Sequence, residues 1–203
     1  EEFIDTVFAV MRSASQHTFM VLTKRPERMR ALARRNVAAR GPLPRHIWLG
    51  VSVEDQRWAD ERIPLLLQTP AQVRFLSCEP LLGPMRLDRA VGRPLAGDVT
   101  TAYAPRVSWV ICGGESGWQA RPCDLAWIRS IVAQCRTAAV PAFVKQLGSR
   151  PVLSDSDCAG CTDPRSEGTH AFTTVQHPES LHLRDRKGGD MDEWPPDVRI
   201  REW

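Results

Sequence analysis

Five short apolar segments recur along the chain, and they constrain its fold more than any other feature of the sequence. Each is five to eight residues long and rich in β-branched or aromatic residues, as is typical of buried β-strands. They are residues 18–23, 46–53, 72–78, 107–112 and 141–145. Their first residues are 28, 26, 35 and 34 positions apart, and an interval of that size holds one strand and one helix. Because polar and apolar residues hardly alternate within them, we expect a parallel sheet with helices on both faces.

Helical patterns fill three of the intervals, which gives the α/β class. The stretches PERMRALARRN, EDQRWADERIPLLLQ and DLAWIRSIVAQCRTA each have apolar residues at helical spacing. A further amphipathic helix, EEFIDTVFAVMRSA, comes before the first strand. In an alternating order a strand precedes each helix, so we expect at least one further strand upstream. Residues 149–203 are polar and rich in turn-forming residues, which predicts an irregular tail or small lobe after a domain of residues 1–148.

Composition excludes two classes of protein. No apolar run approaches the length of about 20 residues that a membrane-spanning helix needs. No signal-peptide pattern opens the chain. Six cysteines without a secretory signal indicate free thiols and no disulfide framework. We therefore expect a cytoplasmic protein without a membrane partner.

The positive charge is concentrated in one segment. Eight basic residues and a single acid, Glu27, lie between Lys24 and Arg45, whereas the whole chain has a net charge of only +3. A local excess of this kind favours a polyanionic partner, of which nucleic acid is the commonest. The alternative is a solvated helix face that binds nothing.

Polar residues follow every predicted strand. The five strand ends read LTKRP, VSVED, SCEP, GGESG and KQLG. In parallel α/β folds, ligands bind at the edge where the carboxyl ends of the strands meet. We therefore expect substrate-binding roles for the charged or amide residues at this edge, which are Lys24, Arg25, Glu79, Lys145 and Gln146. Glu54 and Asp55 lie at the same edge, but at the start of a helix they are also explained by the helix dipole.

The turn GGESG has two interpretations. Gly113 and Gly114 permit close approach of a backbone or a ligand, and Glu115 and Ser116 provide an acceptor and a hydroxyl. These four residues are a candidate ligand cradle. Glycine-rich turns after strands are also common, so the alternative is that the segment only turns the chain and binds no ligand.

A possible metal site lies in the tail. Cys158 and Cys161 form a C-x-x-C pair, with His170 and His177 downstream. Zinc needs four such ligands, and an irregular segment gains most from a metal. The interval between the histidines is longer than in zinc fingers, and the alternative is a pair of surface thiols. We therefore assign no metal ligand.

Several long motifs carry a resemblance to a known family. They include VLTKRPERM, WLGVSVEDQ, DERIPLLLQTPA, RFLSCEPLLGP, GGESG and LHLRDRKGGDMDEWP. With these motifs the chain resembles a phage-associated family of unknown function. That family looks like a radical S-adenosylmethionine family and is similar to the spore photoproduct lyase group.

The resemblance implies a partial or full (β/α) barrel of which this chain is the C-terminal portion. It also implies a [4Fe–4S] cluster and S-adenosylmethionine at the carboxyl ends of the strands. The cluster is held by three cysteines in a segment that precedes the part represented here, and no such triplet occurs in this chain. Cofactor-binding roles at Gly113, Gly114, Glu115 and Ser116 follow from the use of GGE turns to hold the methionine amino group.

The function expected on this basis is a radical reaction on nucleic acid. The catalytic residue is unknown, and Cys78 and Cys112 are candidate hydrogen donors because they lie near strand ends. One alternative is a barrel protein without catalysis that binds nucleic acid or a protein encoded beside it. The other is an enzyme that uses Glu79 and Glu115 as acid and base on a phosphorylated or sugar substrate.

Overall fold

The computed structural model of the chain describes residues 2–87, 106–154 and 179–203. Its helices are α1 (Glu2–Ser13), α2 (Pro26–Arg40), α3 (Gln56–Leu67) and α4 (Leu125–Ala138). Its longer strands are β1 (Phe19–Thr23), β2 (Ile47–Ser52), β3 (Val73–Cys78), β4 (Trp109–Gly113) and β6 (Ala142–Gln146). The short strands are β5 (Cys123–Asp124), β7 (Pro151–Leu153) and β8 (Glu179–Ser180), and two 3-10 turns span Met191–Glu193 and Pro196–Val198.

The five longer strands form one parallel sheet in the order β1-β2-β3-β4-β6. They coincide with the five apolar segments, so the predicted α/β class and parallel sheet are confirmed. Each strand lies beside its predecessor in the chain, and crossovers of one hand then place the connecting helices on one face. The expected helix cover on both faces is not found among the described helices. Side chains of β1 on the other face, Met20 and Leu22, are about half exposed (45% and 47%).

The helix boundaries follow from local sequence. Pro26 begins α2, where its missing N–H costs nothing. Asp55 caps α3 by accepting a hydrogen bond from the backbone N–H of Trp58, and Asp124 caps α4 in the same way from Ala126. Helices α2 and α3 each begin within four residues of the carboxyl end of the preceding strand, so the first residues of these helices and the strand-end residues share one edge of the sheet.

The core lies between the sheet and the helices. Fully buried strand residues such as Ile47, Leu49 and Val110 pack with helix residues such as Leu66 and Ile128. On the opposite face, the Phe75 ring occupies the space over Gly50, where an added Cβ would lie 2.6 Å from the ring. The aromatic cluster continues from Phe75 through Trp48, Trp109, Phe143 and Trp203.

The described part of the tail packs on the sheet. The N–H of Val144 donates to the carbonyl of Ile200 (2.7 Å), and the N–H of Glu202 donates to that of Ala142 (2.9 Å). Residues 200–202 therefore cover the outer edge of β6. Trp194, which is 1% exposed, belongs to the same core as the helices. Apolar packing thus continues past residue 148, where the sequence predicts a domain boundary.

Within the described ranges the sheet is open, with β1 and β6 as its outer strands. In those ranges, no helix combines the length and the apolar character needed to cross a lipid bilayer.

Candidate functional site

Four charged residues meet at the carboxyl ends of the strands in two ion pairs. The Nζ atom of Lys24 lies 2.5 Å from Oε1 of Glu54, and Nζ of Lys145 lies 3.3 Å from Oε1 of Glu79. Both carboxylates are largely buried, with side chains 7% and 17% exposed, whereas both lysine side chains are more than half exposed. We call these four residues the charged edge. It contains three of the residues expected at a ligand site (Lys24, Glu79 and Lys145) together with Glu54.

Glu54 and Asp55 have different roles, although the sequence places them side by side. Asp55 caps α3, as the dipole interpretation requires. Glu54 turns instead toward Arg62, whose Nη1 atom donates to Glu54 Oε2 (3.0 Å) and to the carbonyl of Ser52 (2.8 Å). The Arg62 guanidinium also lies 4.0 Å from the centre of the Trp58 ring. Arg62 is buried and holds Glu54 in a fixed position.

Sequence reasoning missed Arg62 as a site residue. It lies within α3, far from any strand end in sequence, and the helical pattern alone gives it no role. The signal that identifies it is the spacing of four residues from Trp58, which puts a ring and a guanidinium on the same helix face.

Glu79 is positioned by three strands. The hydroxyl of Ser77, on the same strand end, donates to Glu79 Oε2 (3.2 Å). Lys145 reaches Glu79 from β6 across the end of β4, where Gly113 stands. A Cβ at Gly113 would lie 3.3 Å from Glu79 Oε1 and 2.8 Å from the carbonyl oxygen of Gln146. The absence of a side chain at residue 113 therefore leaves room for the Glu79–Lys145 pair.

The second glycine of the GGESG turn has a packing role. A Cβ at Gly114 would lie 2.1 Å from the carbonyl oxygen of Leu147. Gly148 has a φ of +89°, and a Cβ there would lie 2.8 Å from the carbonyl oxygen of Glu115. Gly188 packs in turn on Gly148, and its carbonyl accepts a hydrogen bond from the N–H of Leu147 (2.8 Å). Three backbone segments are thus in contact, and protein fills the space that the glycine leaves.

Glu115 and Ser116 already have partners within the protein. Arg121 binds the Glu115 carboxylate through Nε and Nη2, both at 2.8 Å, and through its backbone N–H at 2.9 Å. These hydrogen bonds lower the pKa of Glu115 to about 2. Gln146 Nε2 donates to the hydroxyl of Ser116 (2.6 Å) and to the carbonyl of Gly114 (3.0 Å). Cofactor binding by this turn stays a prediction.

Arg25 lies apart from the charged edge. Its backbone N–H donates to Oγ1 of Thr23 (3.0 Å), and its side chain lines a cavity between α1, β1 and α2. The structure therefore separates Arg25 from Lys24, although the two are adjacent in sequence.

The basic residues of α2 do not form a single face. Arg28 and Arg35 lie about 20° apart around the helix axis and on the side of α1, where Arg28 lines the same cavity and Arg35 pairs with Asp5 (2.8 Å). Arg30, by contrast, donates to Gln68 just beyond the end of α3. The charge of this segment is thus divided between two sides of the helix.

Cys78 and Cys112 lie inside the protein. They are register partners on β3 and β4, and both are completely buried in the core. Burial raises the pKa of both thiols well above its usual range, and the nearby Cys135 of α4 adds to the shift. Neither sulfur is accessible to a substrate at the charged edge, so the geometry does not favour them as hydrogen donors.

The described residues contain no group of three or more His, Cys, Asp or Glu side chains arranged to hold a metal ion. Cys158, Cys161, His170 and His177, the possible zinc ligands, lie outside the described residues.

Comparison with known proteins gives one match. The model of a family described as "Protein of unknown function (DUF5131)" matches residues 1–185, which include the charged edge, the GGESG turn and Arg62. No curated protein and no solved structure matches the chain. Because the family model spans most of the 203 residues, the chain belongs to this family of unknown function.

Proposed function

We propose that the charged edge binds nucleic acid, and that the chain is the substrate-binding part of a radical-S-adenosylmethionine-like iron–sulfur protein of the cytoplasm. The observation that carries the proposal is the pair of buried carboxylates, each with an exposed lysine, at the carboxyl ends of neighbouring strands. This is the edge at which parallel α/β folds bind their ligands.

The two kinds of charge have complementary uses. Because both lysine side chains are more than half exposed, the Nζ atom of Lys24 or Lys145 can turn from its carboxylate to a phosphate group without leaving solvent. The carboxylates are held in place by Arg62 and by Ser77, respectively. Once a lysine has moved to a phosphate, its carboxylate is free to accept hydrogen bonds from sugar hydroxyls or base amino groups.

The sheet supports the proposed (β/α) barrel. Parallel strands that follow one another without a reversal of order, with helices on one face, are the repeating arrangement of such a barrel. The second face of the sheet, which carries Met20 and Leu22, would then be turned toward the barrel interior.

The iron–sulfur cluster does not fit the described residues. Such a cluster needs accessible thiolates close together, whereas Cys78, Cys112, Cys123 and Cys135 are buried and have raised pKa values. The proposal therefore requires cluster ligands outside the described residues. No step of the reaction is assigned to residues of this chain.

Two other functions use the same residues differently. An acid–base enzyme built on Glu79 and Glu115 is disfavoured, because a carboxyl group with a pKa of about 2 has no proton to donate at neutral pH and is a weak base. A protein that binds nucleic acid, or a partner encoded beside it, without catalysis would use the same charged edge and lack the cluster.

Electron paramagnetic resonance separates the radical reaction from binding alone. The gene product is reconstituted with iron and sulfide without oxygen, reduced with dithionite, and measured with and without S-adenosylmethionine. We expect a [4Fe–4S]⁺ signal that changes when S-adenosylmethionine is added. A folded protein without a cluster signal would contradict the radical proposal and leave the binding protein.

Binding of nucleic acid is tested separately by fluorescence anisotropy with a labelled single-stranded oligonucleotide. We expect binding that weakens steeply as salt is added, because phosphate contacts release counterions. Failure to bind at low salt would contradict a nucleic-acid ligand whatever the result for the cluster.

A further inference from the structure

One loop follows β4 at the edge of the sheet where the charged edge lies. Its two ends are joined, because Arg121 donates three hydrogen bonds to the Glu115 carboxylate. The backbone N–H of Gly117 donates to Oγ of Ser149 (2.9 Å), and that of Ala120 donates to the carbonyl of Gly117 (3.1 Å). Hydrogen bonds within the protein therefore fix the conformation of this loop.

Trp118 is the middle residue of the loop and is 91% exposed. Tryptophan is highly buried on average, and five of the seven tryptophans of this chain are buried or half-buried. The other exposed one, Trp203, stacks on Trp109 with ring centres 5.4 Å apart. The aromatic contacts within the described ranges do not include Trp118. A fixed loop thus presents an unstacked indole ring to solvent.

Ser116 attaches this loop to the charged edge. Its hydroxyl accepts a hydrogen bond (2.6 Å) from Nε2 of Gln146, the residue that follows Lys145 on β6. Because Ser116 is two residues before Trp118, the Cα atoms of these two residues lie within about 7 Å of each other. The exposed ring is therefore close to the strand end that carries Lys145.

Arg121 provides a further cation at the same place. Its pKa is raised chiefly by the hydrogen bonds to Glu115, and the charge of Glu54 raises it further. The guanidinium therefore lies within electrostatic reach of a carboxylate of the charged edge. Its side chain is 56% exposed although it is paired. The loop thus combines an exposed aromatic ring with an exposed positive charge.

This combination fits single-stranded nucleic acid better than it fits a protein partner. Unpaired bases stack on exposed aromatic rings while lysine and arginine follow the phosphates. The core of a protein interface is a contiguous apolar patch, whereas the exposed neighbours of Trp118 are Ser116, Gly117 and Gln119. Duplex nucleic acid fits less well, because its internal bases must leave the stack before a ring can contact their faces.

We propose that Trp118 stacks on an unpaired base of a single strand whose phosphates are bound by Lys24 and Lys145. This role of Trp118 rests on the proposed function, because the strand is the nucleic-acid ligand of the charged edge. It specifies that ligand as single-stranded. Since every base has a π-face, such stacking tolerates any base sequence.

The first test is fluorescence anisotropy with a labelled single-stranded DNA of about 12 nucleotides. We expect Trp118→Leu to weaken binding about tenfold. The slope of log affinity against log salt should stay unchanged, because no phosphate contact is lost. Trp118→Phe, which keeps an aromatic ring, should retain most of the affinity.

Trp203→Leu is the matched control. Trp203 is also an exposed tryptophan, but it stacks on Trp109 at the opposite end of β4 from the loop. We expect this variant to bind the DNA as the wild type does. Thermal unfolding confirms that each variant is folded.

Two further ligands separate stacking from phosphate binding. An abasic strand of the same length carries the phosphates without the bases. We expect the wild type to bind it about tenfold more weakly than the complete strand, and Trp118→Leu to weaken this binding no further. Binding of a duplex of the same sequence should likewise be insensitive to Trp118→Leu.

Fluorine-19 nuclear magnetic resonance of protein labelled with 5-fluorotryptophan observes the ring directly. The resonance that is missing from Trp118→Phe identifies residue 118. In the free protein we expect this resonance to shift between H₂O and D₂O, as that of an exposed ring does. We expect it to move upfield when the single strand is added and to stay in place when the abasic strand is added.

Four outcomes would overturn the proposal. Wild-type affinity of Trp118→Leu, with weaker binding by Lys24→Gln and Lys145→Gln, would leave the proposed function intact and point to a protein partner for the ring. Failure of the wild type to bind the single strand would overturn the proposed function as well. An equal effect of Trp118→Leu on the abasic strand would show that the ring does not stack on a base. Absence of the solvent isotope shift would show that another part of the chain covers the ring.

Discussion

Lys145 and Glu79 form an ion pair of 3.3 Å although their strands, β6 and β3, are separated by β4. Gly113, at the end of β4, has no Cβ, which would lie 3.3 Å from Glu79 Oε1. Both glycines of the GGESG turn permit close backbone packing, and the first also lies beside the Glu79 carboxylate.

The packing role of Gly114 predicts a large loss of stability on Gly114→Ala. The added methyl group would meet the Leu147 carbonyl at 2.1 Å, so the backbone must shift. We expect the free energy of unfolding to fall by about 3 kcal/mol. Gly83→Ala is the control, because no atom lies within 4 Å of the added carbon, and it should be neutral or stabilising by up to about 1 kcal/mol. Urea unfolding measures both, and equal stability of the two variants would contradict the close contact.

Arg62 is expected to be essential for the position of Glu54. In Arg62→Met the buried carboxylate is deprived of its buried partner, and we expect a destabilisation of about 3–5 kcal/mol. Arg57→Met is matched to it, since Arg57 also lies over the Trp58 ring (4.9 Å) but is exposed. The control should change stability by less than about 0.5 kcal/mol. The free energy of unfolding of both variants is measured by chemical denaturation. A destabilisation confined to Arg57→Met would refute this assignment.

The Glu115–Arg121 pair makes a prediction about pH. The pKa of Glu115 is about 2, below its ordinary value of 4.5, chiefly because of hydrogen bonds from Arg121. The stabilisation it gives is therefore fully present above pH 4.5 and is lost as the pH falls toward 2. We expect Arg121→Gln to raise the pKa toward 4.5, as measured by carbon-13 resonance of the Glu115 carboxyl group. Arg150→Gln, an exposed neighbour in the fold, should leave it at about 2, and an unchanged pKa in Arg121→Gln would rule out this cause.

The buried cysteines should be inert. Burial raises the pKa of Cys123 and of Cys135 to about 12, and those of Cys78 and Cys112 are also raised. Because the thiolate is the reactive form, iodoacetamide at pH 8 should leave these four cysteines unmodified in the folded protein and modify them in urea. Mass spectrometry of tryptic peptides reads out each site. Rapid modification of Cys78 or Cys112 in the native protein would restore them as candidate hydrogen donors.

The strands and the edge they share were predictable, but the contacts at that edge were only partly so. Apolar segments at near-constant intervals identify β1 to β4 and β6, and the strand ends identify Lys24, Glu79 and Lys145. The separate roles of Glu54 and Asp55 depend on Arg62, which reaches Glu54 only after α3 has formed. The contact between Gly114, Gly148 and Gly188 joins residues more than 30 positions apart, and no local pattern reports such contacts. The same is true of the tail, whose residues 200–202 pair with β6 although their sequence has no strand signal.

The most direct test of the charged edge is the salt dependence of oligonucleotide binding by Lys24→Gln, Lys145→Gln and the double variant. Arg45→Gln is the control, because Arg45 is an exposed cation of the same basic segment that lies just before β2, at the opposite edge of the sheet. Removing one lysine that neutralises a phosphate should reduce the slope of log affinity against log salt by about 1. We predict a reduction of about 1 for each single lysine variant, about 2 for the double variant and none for Arg45→Gln. Equal slopes in wild type and the double variant, or a reduction confined to Arg45→Gln, would show that nucleic acid does not bind at the charged edge.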